Sequence, residues 1–232
     1  MNGIAAVAFV LLLVGVLAVM HFRRRRQIRA ERGTYLHPCL DLFETYRVEQ
    51  DDVDFPMLEG RYRGHLVRLV PIVDHVAVRK LPSLWLLATV KGKVPVAGVT
   101  SFLARPLNTE FFSPAIHLPD RLATPPGFPS WVQVRTDRPE EPPPAEAMEA
   151  QAPLFRDPKM KELVIAPPAV RLVYQAAEGR RAHYMVLRQP DFGEALAVDP
   201  VLVRWLLDRA ITIIEDLKRA AGPHEWARDA AP

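Results

Sequence analysis

The sequence holds a single cysteine, Cys39. One thiol closes no intramolecular disulfide, so the fold needs no oxidising compartment. The common signatures of chemistry are missing as well. There is no G-x-S-x-G, no P-loop, no G-x-G-x-x-G, no H-E-x-x-H and no C-x-x-C. Those absences remove the nucleophile elbow, the phosphate cradles and the paired metal ligands that such spacings build. His37-Pro38-Cys39 is the one close His/Cys pair. The intervening proline hinders chelation, and a metal needs further ligands, so an incidental role is the better reading. Nothing in the sequence asks for a cofactor.

A basic folded body is also lacking. The net charge is +3 and the pI about 9.2, but the charge is localised. Residues 23–33 carry six arginines and one glutamate, a sum of +5, which leaves 24 basic and 26 acidic residues, or −2, for the rest. A nucleic-acid binder needs its positive face on the folded part. No nucleic acid is therefore expected as a partner.

Long hydrophobic runs are absent, with one exception. From Gly3 to Met20 no side chain is charged or strongly polar, and His21 and Phe22 extend the run to the first arginine. About twenty helical residues cover roughly 30 Å, the thickness of a hydrocarbon core. A lone segment in lipid must satisfy its own backbone, so it must be helical. A cleaved signal normally has a basic residue before the run and a small-x-small site after it; neither occurs here. Residues 1–22 are therefore expected to be an uncleaved transmembrane anchor that meets the bilayer through residues 3–22. Arg23, Arg24, Arg25, Arg26, Arg29 and Arg32 follow it at once. Such a flank stays on the cytoplasmic side, which puts the N-terminus outside and the remaining chain in the cytosol. The preference for arginine over lysine, with much alanine and proline, suggests a GC-rich bacterial source, hence an inner membrane. The arginines can also meet anionic head groups, although topology alone accounts for them.

Beyond the basic segment 23–33, which Gly33 is expected to close, the patterning predicts an α+β domain. It comprises a first half (34–136), a Pro/Glu-rich exposed loop (137–153), a second half (154–222) and a tail (223–232). Cys39–Arg47 has helical spacing of apolar residues. "LEGRYRGHLVRLVPIV" (58–73) reads as a β-hairpin with Gly60 and Gly64 as turn or bulge residues. "HVAVRKLP", "SLWLLATV", "VAGVTSFL" and "WVQVRT" read as strands. "PLFRDPKMKELVI" (153–165) is expected to be a short helix, and residues 169–188 a hairpin turning near Glu178-Gly179. Asp199 caps, and Pro200 opens, a C-terminal helix. Its apolar face comprises Val203, Leu206, Leu207, Ala210, Ile211, Ile214 and Leu217, and its polar stripe Arg204, Asp208, Thr212, Glu215 and Arg219. Trp85, Trp131 and Trp205 are assigned to the core. Residues 59–71 and 178–190 share EGR, a His and a closing proline, which a remnant duplication would explain, but chance similarity of short motifs is the stronger reading.

Three functions fit these features. The first is a single-pass tether whose cytosolic domain binds a protein partner, resting on the anchor and on the missing catalytic signatures. The second is a small-molecule or lipid binder, in which the long helix over a sheet encloses a pocket. The third is a hydrolase that uses His65, His75 and His183 with Asp74 or Glu178 as acid/base partners. A deep pocket with convergent polar groups favours the second, and an exposed apolar patch over a solid core favours the first. The third requires two of the histidines and a carboxylate to converge.

Overall fold

The apolar run does form a helix, α1 (Gly3–Gly33), which continues unbroken through the arginines and stops at Gly33 as expected. It is long and apolar enough to cross a membrane, and none of that stretch is buried against the rest of the protein. The computed structural model describes residues 3–74, 81–180, 192–193 and 196–222.

After α1 a short 3-10 turn, His37–Leu42, leads into the sheet. The strands are β1 (Thr45–Glu49), β2 (Met57–Tyr62), β3 (His65–Asp74), β4 (Ser83–Lys91), β5 (Thr100–Ala104), β6 (Asp120–Leu122), β7 (Val132–Thr136), β8 (Met160–Ala166) and β9 (Ala169–Glu178). A short helix α2 (Ala145–Glu149) precedes β8, and α3 (Pro200–Ala220) follows β9. The nine strands form one sheet in the order β1-β2-β3-β4-β9-β8-β5-β7-β6. Every pairing is antiparallel. β8 and β9 insert between β4 and β5, so the two halves of the chain interleave instead of forming two lobes. The turn between β2 and β3 is Arg63-Gly64, with φ of 49° and 77°. Two positive φ values in a two-residue connection match the right-handed twist of a hairpin.

The sheet has two covered faces. Along β4, Leu84, Leu86, Ala88 and Val90 face the main core, while Trp85 and Leu87 face a smaller one with Phe112 and Val173. Helix α3 lies over the main face and buries Val203, Leu206, Leu207, Ala210, Ile211, Ile213, Ile214 and Leu217. The segment 105–118 covers the second face, where Phe112 meets Trp85 at a centroid distance of 5.7 Å.

Several local expectations are corrected. The 39–47 helix is only the 3-10 turn, because Thr45–Glu49 pairs with β2 and its β-forming residues stay extended. The 153–165 helix is a turn, Ala152–Arg156, followed by β8. β8 is extended because it is paired on both edges, by β5 and by β9. The 137–153 segment is largely exposed but not wholly a loop, since it contains α2, which sends Ala147 and Met148 into the core. Trp131 and Trp205 are 50% and 40% exposed, so of the three tryptophans assigned to the core only Trp85 is buried. The second arm of the 169–188 hairpin, most of the second EGR copy and most of "HVAVRKLP" lie outside the described residues.

Candidate functional site

The arginines after the apolar run divide by helical phase. Arg25, Arg29 and Arg32 recur at four and three residues, which places them on one face of α1. That face meets the acidic segment 50–54. Arg25 pairs with the Asp52 carboxylate, and Arg29 donates from Nη1 to the Asp52 carbonyl oxygen at 2.6 Å. Arg32 donates to the Val53 carbonyl oxygen at 2.9 Å and stands 5.0 Å over the Phe55 ring. Burial lowers the Arg32 guanidinium pKa, against the charges of Asp54 and Glu31. Gln50 completes the joint by donating to the carbonyl oxygens of Arg29 and Asp54, both at 2.9 Å. It thus ties the last turns of α1 to segment 50–54. Asp52 and Asp54 are thus part of a clamp between helix and sheet.

The second sheet face holds a buried polar cluster. Lys161 Nζ donates to Glu110 Oε1 at 2.7 Å and to the Ala104 and Arg105 carbonyl oxygens at 3.0 and 2.9 Å. Three donors meet three acceptors, so the ammonium is saturated. Burial raises the Glu110 carboxyl pKa, but Lys161 and the backbone N–H of Leu107 outweigh it and hold the group below its ordinary value. Glu162 accepts from the Ser101 and Ser113 hydroxyls, both at 2.5 Å and both on Oε1. Its Oε2 is buried without a partner among the described residues. Burial pushes the Glu162 carboxyl up to about 7 against those two hydrogen bonds. The cluster pins segment 105–118 to the sheet and opens onto no described cavity.

The open site lies at the other end of the main face. A cleft of about 460 Å³ runs between the segment after α1, the ends of β8 and β9, and the start of α3. Tyr35, Tyr174 and Trp205 supply rings, and Asp157, Lys159 and Asp199 supply charge. Tyr174 and Trp205 meet edge to face at 6.2 Å. The Tyr174 hydroxyl donates to Asp157 Oδ2 at 2.8 Å, and Asp157 Oδ1 accepts from the Lys159 N–H at 2.8 Å. Burial, then the Asp157 hydrogen bond and charge, push the Tyr174 phenol up to about 12. Asp199 Oδ1 caps α3 by accepting from the Val201 N–H at 2.8 Å, as the Asp-Pro pair predicted. The Tyr35 ring is buried, and its hydroxyl has no partner among the described residues.

The expected histidine site does not assemble around His65. His65 opens β3 opposite Tyr62, while Asp74 closes the same strand opposite Ser83, which also pairs with Glu178. Nine residues at about 3.3 Å each put His65 roughly 30 Å from both carboxylates. His75 and His183 lie outside the described residues. Among the described residues no group of three or more His, Cys, Asp or Glu side chains is placed to hold a metal ion. Cys39 donates to the Leu36 carbonyl oxygen at 3.0 Å, and burial pushes its thiol up to about 11, which makes it inert. Sequence reasoning missed Tyr35, Asp157, Tyr174 and Trp205. The one available signal was a tryptophan at the edge of the apolar face of α3, next to Arg204. No protein-family model and no curated protein sequence matches the chain.

Proposed function

We propose that this protein is a single-pass, membrane-anchored binding protein of the bacterial inner membrane, with α1 in the bilayer, the N-terminus outside and the sheet domain on the cytoplasmic side. The arginine-rich flank supports that orientation. Counting from Arg23 to Gly33, α1 rises about 16 Å beyond the hydrocarbon edge. Arg23, Arg24 and Arg26 then lie at head-group level, and the clamp, which begins at Arg25, fixes the domain against the end of α1.

The domain's ligand site is the cleft between Tyr35 and Trp205. The observation that carries this reading is its size and lining: about 460 Å³, within the ~300–1,000 Å³ of small-molecule sites, with rings and a few convergent polar groups. A protein-tether reading has its own support in Leu107, Phe111, Ile116 and Trp131, all between 44% and 51% exposed around segment 105–118. Affinity purification of the detergent-solubilised full chain separates the two readings when wild type is run beside Trp205→Ala and beside Phe111→Ser/Trp131→Ser. A small molecule released on denaturation from wild type but not from Trp205→Ala supports the cleft. A protein lost only from the Phe111/Trp131 variant supports the tether. A reporter fused after Pro232 that is active only outside the cell overturns the orientation.

A further inference from the structure

We propose that the cleft takes its ligand through a soluble organic cation, an alkylammonium or quaternary ammonium group. This rests on reading the cleft as the ligand site. The lining carries two carboxylates, Asp157 and Asp199, against one ammonium, Lys159. Among the described residues none of the three makes an ion pair, although Lys159 is two residues from Asp157. Both carboxylates are nonetheless fixed in place, Asp157 by the Tyr174 hydroxyl and the Lys159 N–H, Asp199 by the Val201 N–H. Among the described residues they are oriented anions without an ion-pair partner, and the Trp205 ring beside them is 40% exposed. A ring face attracts cations through its quadrupole, tryptophan most strongly.

The competing ligand is an anion, drawn by Lys159 and the start of α3. The helix end is poorly suited to it. Pro200 has no N–H, Val201 gives its N–H to Asp199, and the Asp199 carboxylate sits where an anion would approach. A capping carboxylate already uses the favourable end of the dipole.

A lipid head group supplies the same chemistry but is out of reach. Tyr35 follows the end of α1, about 16 Å beyond the hydrocarbon edge by the helical rise, and the head-group layer extends only about 5–8 Å. The cation therefore comes from solution.

The test uses the full chain in a maltoside detergent, labelled with ¹⁵N at the indoles of its four tryptophans. The Trp205 signal is assigned by its loss in Trp205→Phe. Choline chloride and tetramethylammonium chloride are expected to shift that signal saturably at millimolar concentrations. Asp157→Asn should weaken choline binding about ten-fold or more, and Lys159→Gln should strengthen it, with thermal melting confirming that both variants fold. Phosphate shifting the signal while choline does not would overturn the cation and leave the cleft a ligand site. Silence to every probe would count against the cleft itself. A response only to phosphatidylcholine nanodiscs, and not to free choline, would overturn the soluble source.

Discussion

Lys161 and Glu162 are consecutive on β8, yet both turn to the same face of the sheet. A strand alternates its side chains, so neighbours should part. The register between β8 and β9 shifts between Met160 and Glu162, where Met160 pairs with Tyr174 and Glu162 with Val173. One extra residue in the strand makes a bulge, and Lys161 is that residue. Met160 and Leu163 therefore stay in the main core while two charged side chains enter the second face. Lys161 holds the carbonyls of Ala104 and Arg105 together with Glu110, and Glu162 holds Ser113. One irregularity thus fastens segment 105–118 at Arg105, Glu110 and Ser113.

The Lys161–Glu110 pair is 5% and 3% exposed, so losing one partner strands a buried charge. Glu110→Gln or Lys161→Met alone should cost about 3–5 kcal/mol in urea unfolding. The double variant Lys161→Met/Glu110→Leu should lose less than the sum of the single losses, because neither charge is left alone. Strict additivity would show that the two side chains act independently.

Glu162 should make stability depend on pH. Its folded value, about 7, lies above the ordinary 4.5, so the folded state holds a proton that the unfolded state has released. The contribution is complete below about pH 4.5 and is lost as pH rises to about 7. Across that window the slope approaches about −1.4 kcal/mol per pH unit. Glu162→Gln should flatten the profile. An unchanged slope in the variant would assign the dependence to another group.

What could be read from the sequence was whatever one short segment decides by itself. The apolar run and its arginines specify α1, and Asp199-Pro200 specifies the start of α3. Val132–Thr136 alternates cleanly and is β7. β8 was misread because "KMKEL" favours a helix locally, and only two flanking strands make it extended. The cleft was invisible because Tyr35, Asp157, Tyr174 and Trp205 come from four elements that only the topology brings together. The arginines were visible as charge, but the selection of Arg25, Arg29 and Arg32 for the clamp depends on where segment 50–54 folds.

Two glycines of the first hairpin should fail for different reasons. A Cβ on Gly60 would sit 2.6 Å from the Thr45 carbonyl oxygen, and backbone cannot swing aside as a side chain can. Gly60→Ala should push β1 off β2 and cost about 1–3 kcal/mol. A Cβ on Gly64 meets nothing within 4 Å, but its φ is +77°. Gly64→Ala should cost about 1–2 kcal/mol through backbone strain alone. Amide exchange separates them: β1 should exchange faster in Gly60→Ala and stay protected in Gly64→Ala.

The clamp predicts how the helix and the domain come apart. The Arg25–Asp52 pair is half exposed, so salt screens it, whereas the Gln50 and Arg32 bonds to backbone carbonyls are less sensitive. Removing Gln50 and Asp52 side chains together, in Gln50→Ala/Asp52→Ala, takes away the contact to the Arg29 carbonyl and the partner of Arg25. Trypsin needs a locally opened backbone, and Arg29 and Arg32 are its targets at the joint. The variant should release the sheet domain from α1 many times faster than wild type, and high salt should produce a smaller acceleration in wild type. The uncleaved variant should still sediment with membranes, because Arg23, Arg24 and Arg26 and the apolar run are untouched. Equal release rates for variant and wild type would mean that the joint is not held by these contacts and that α1 and the sheet move independently.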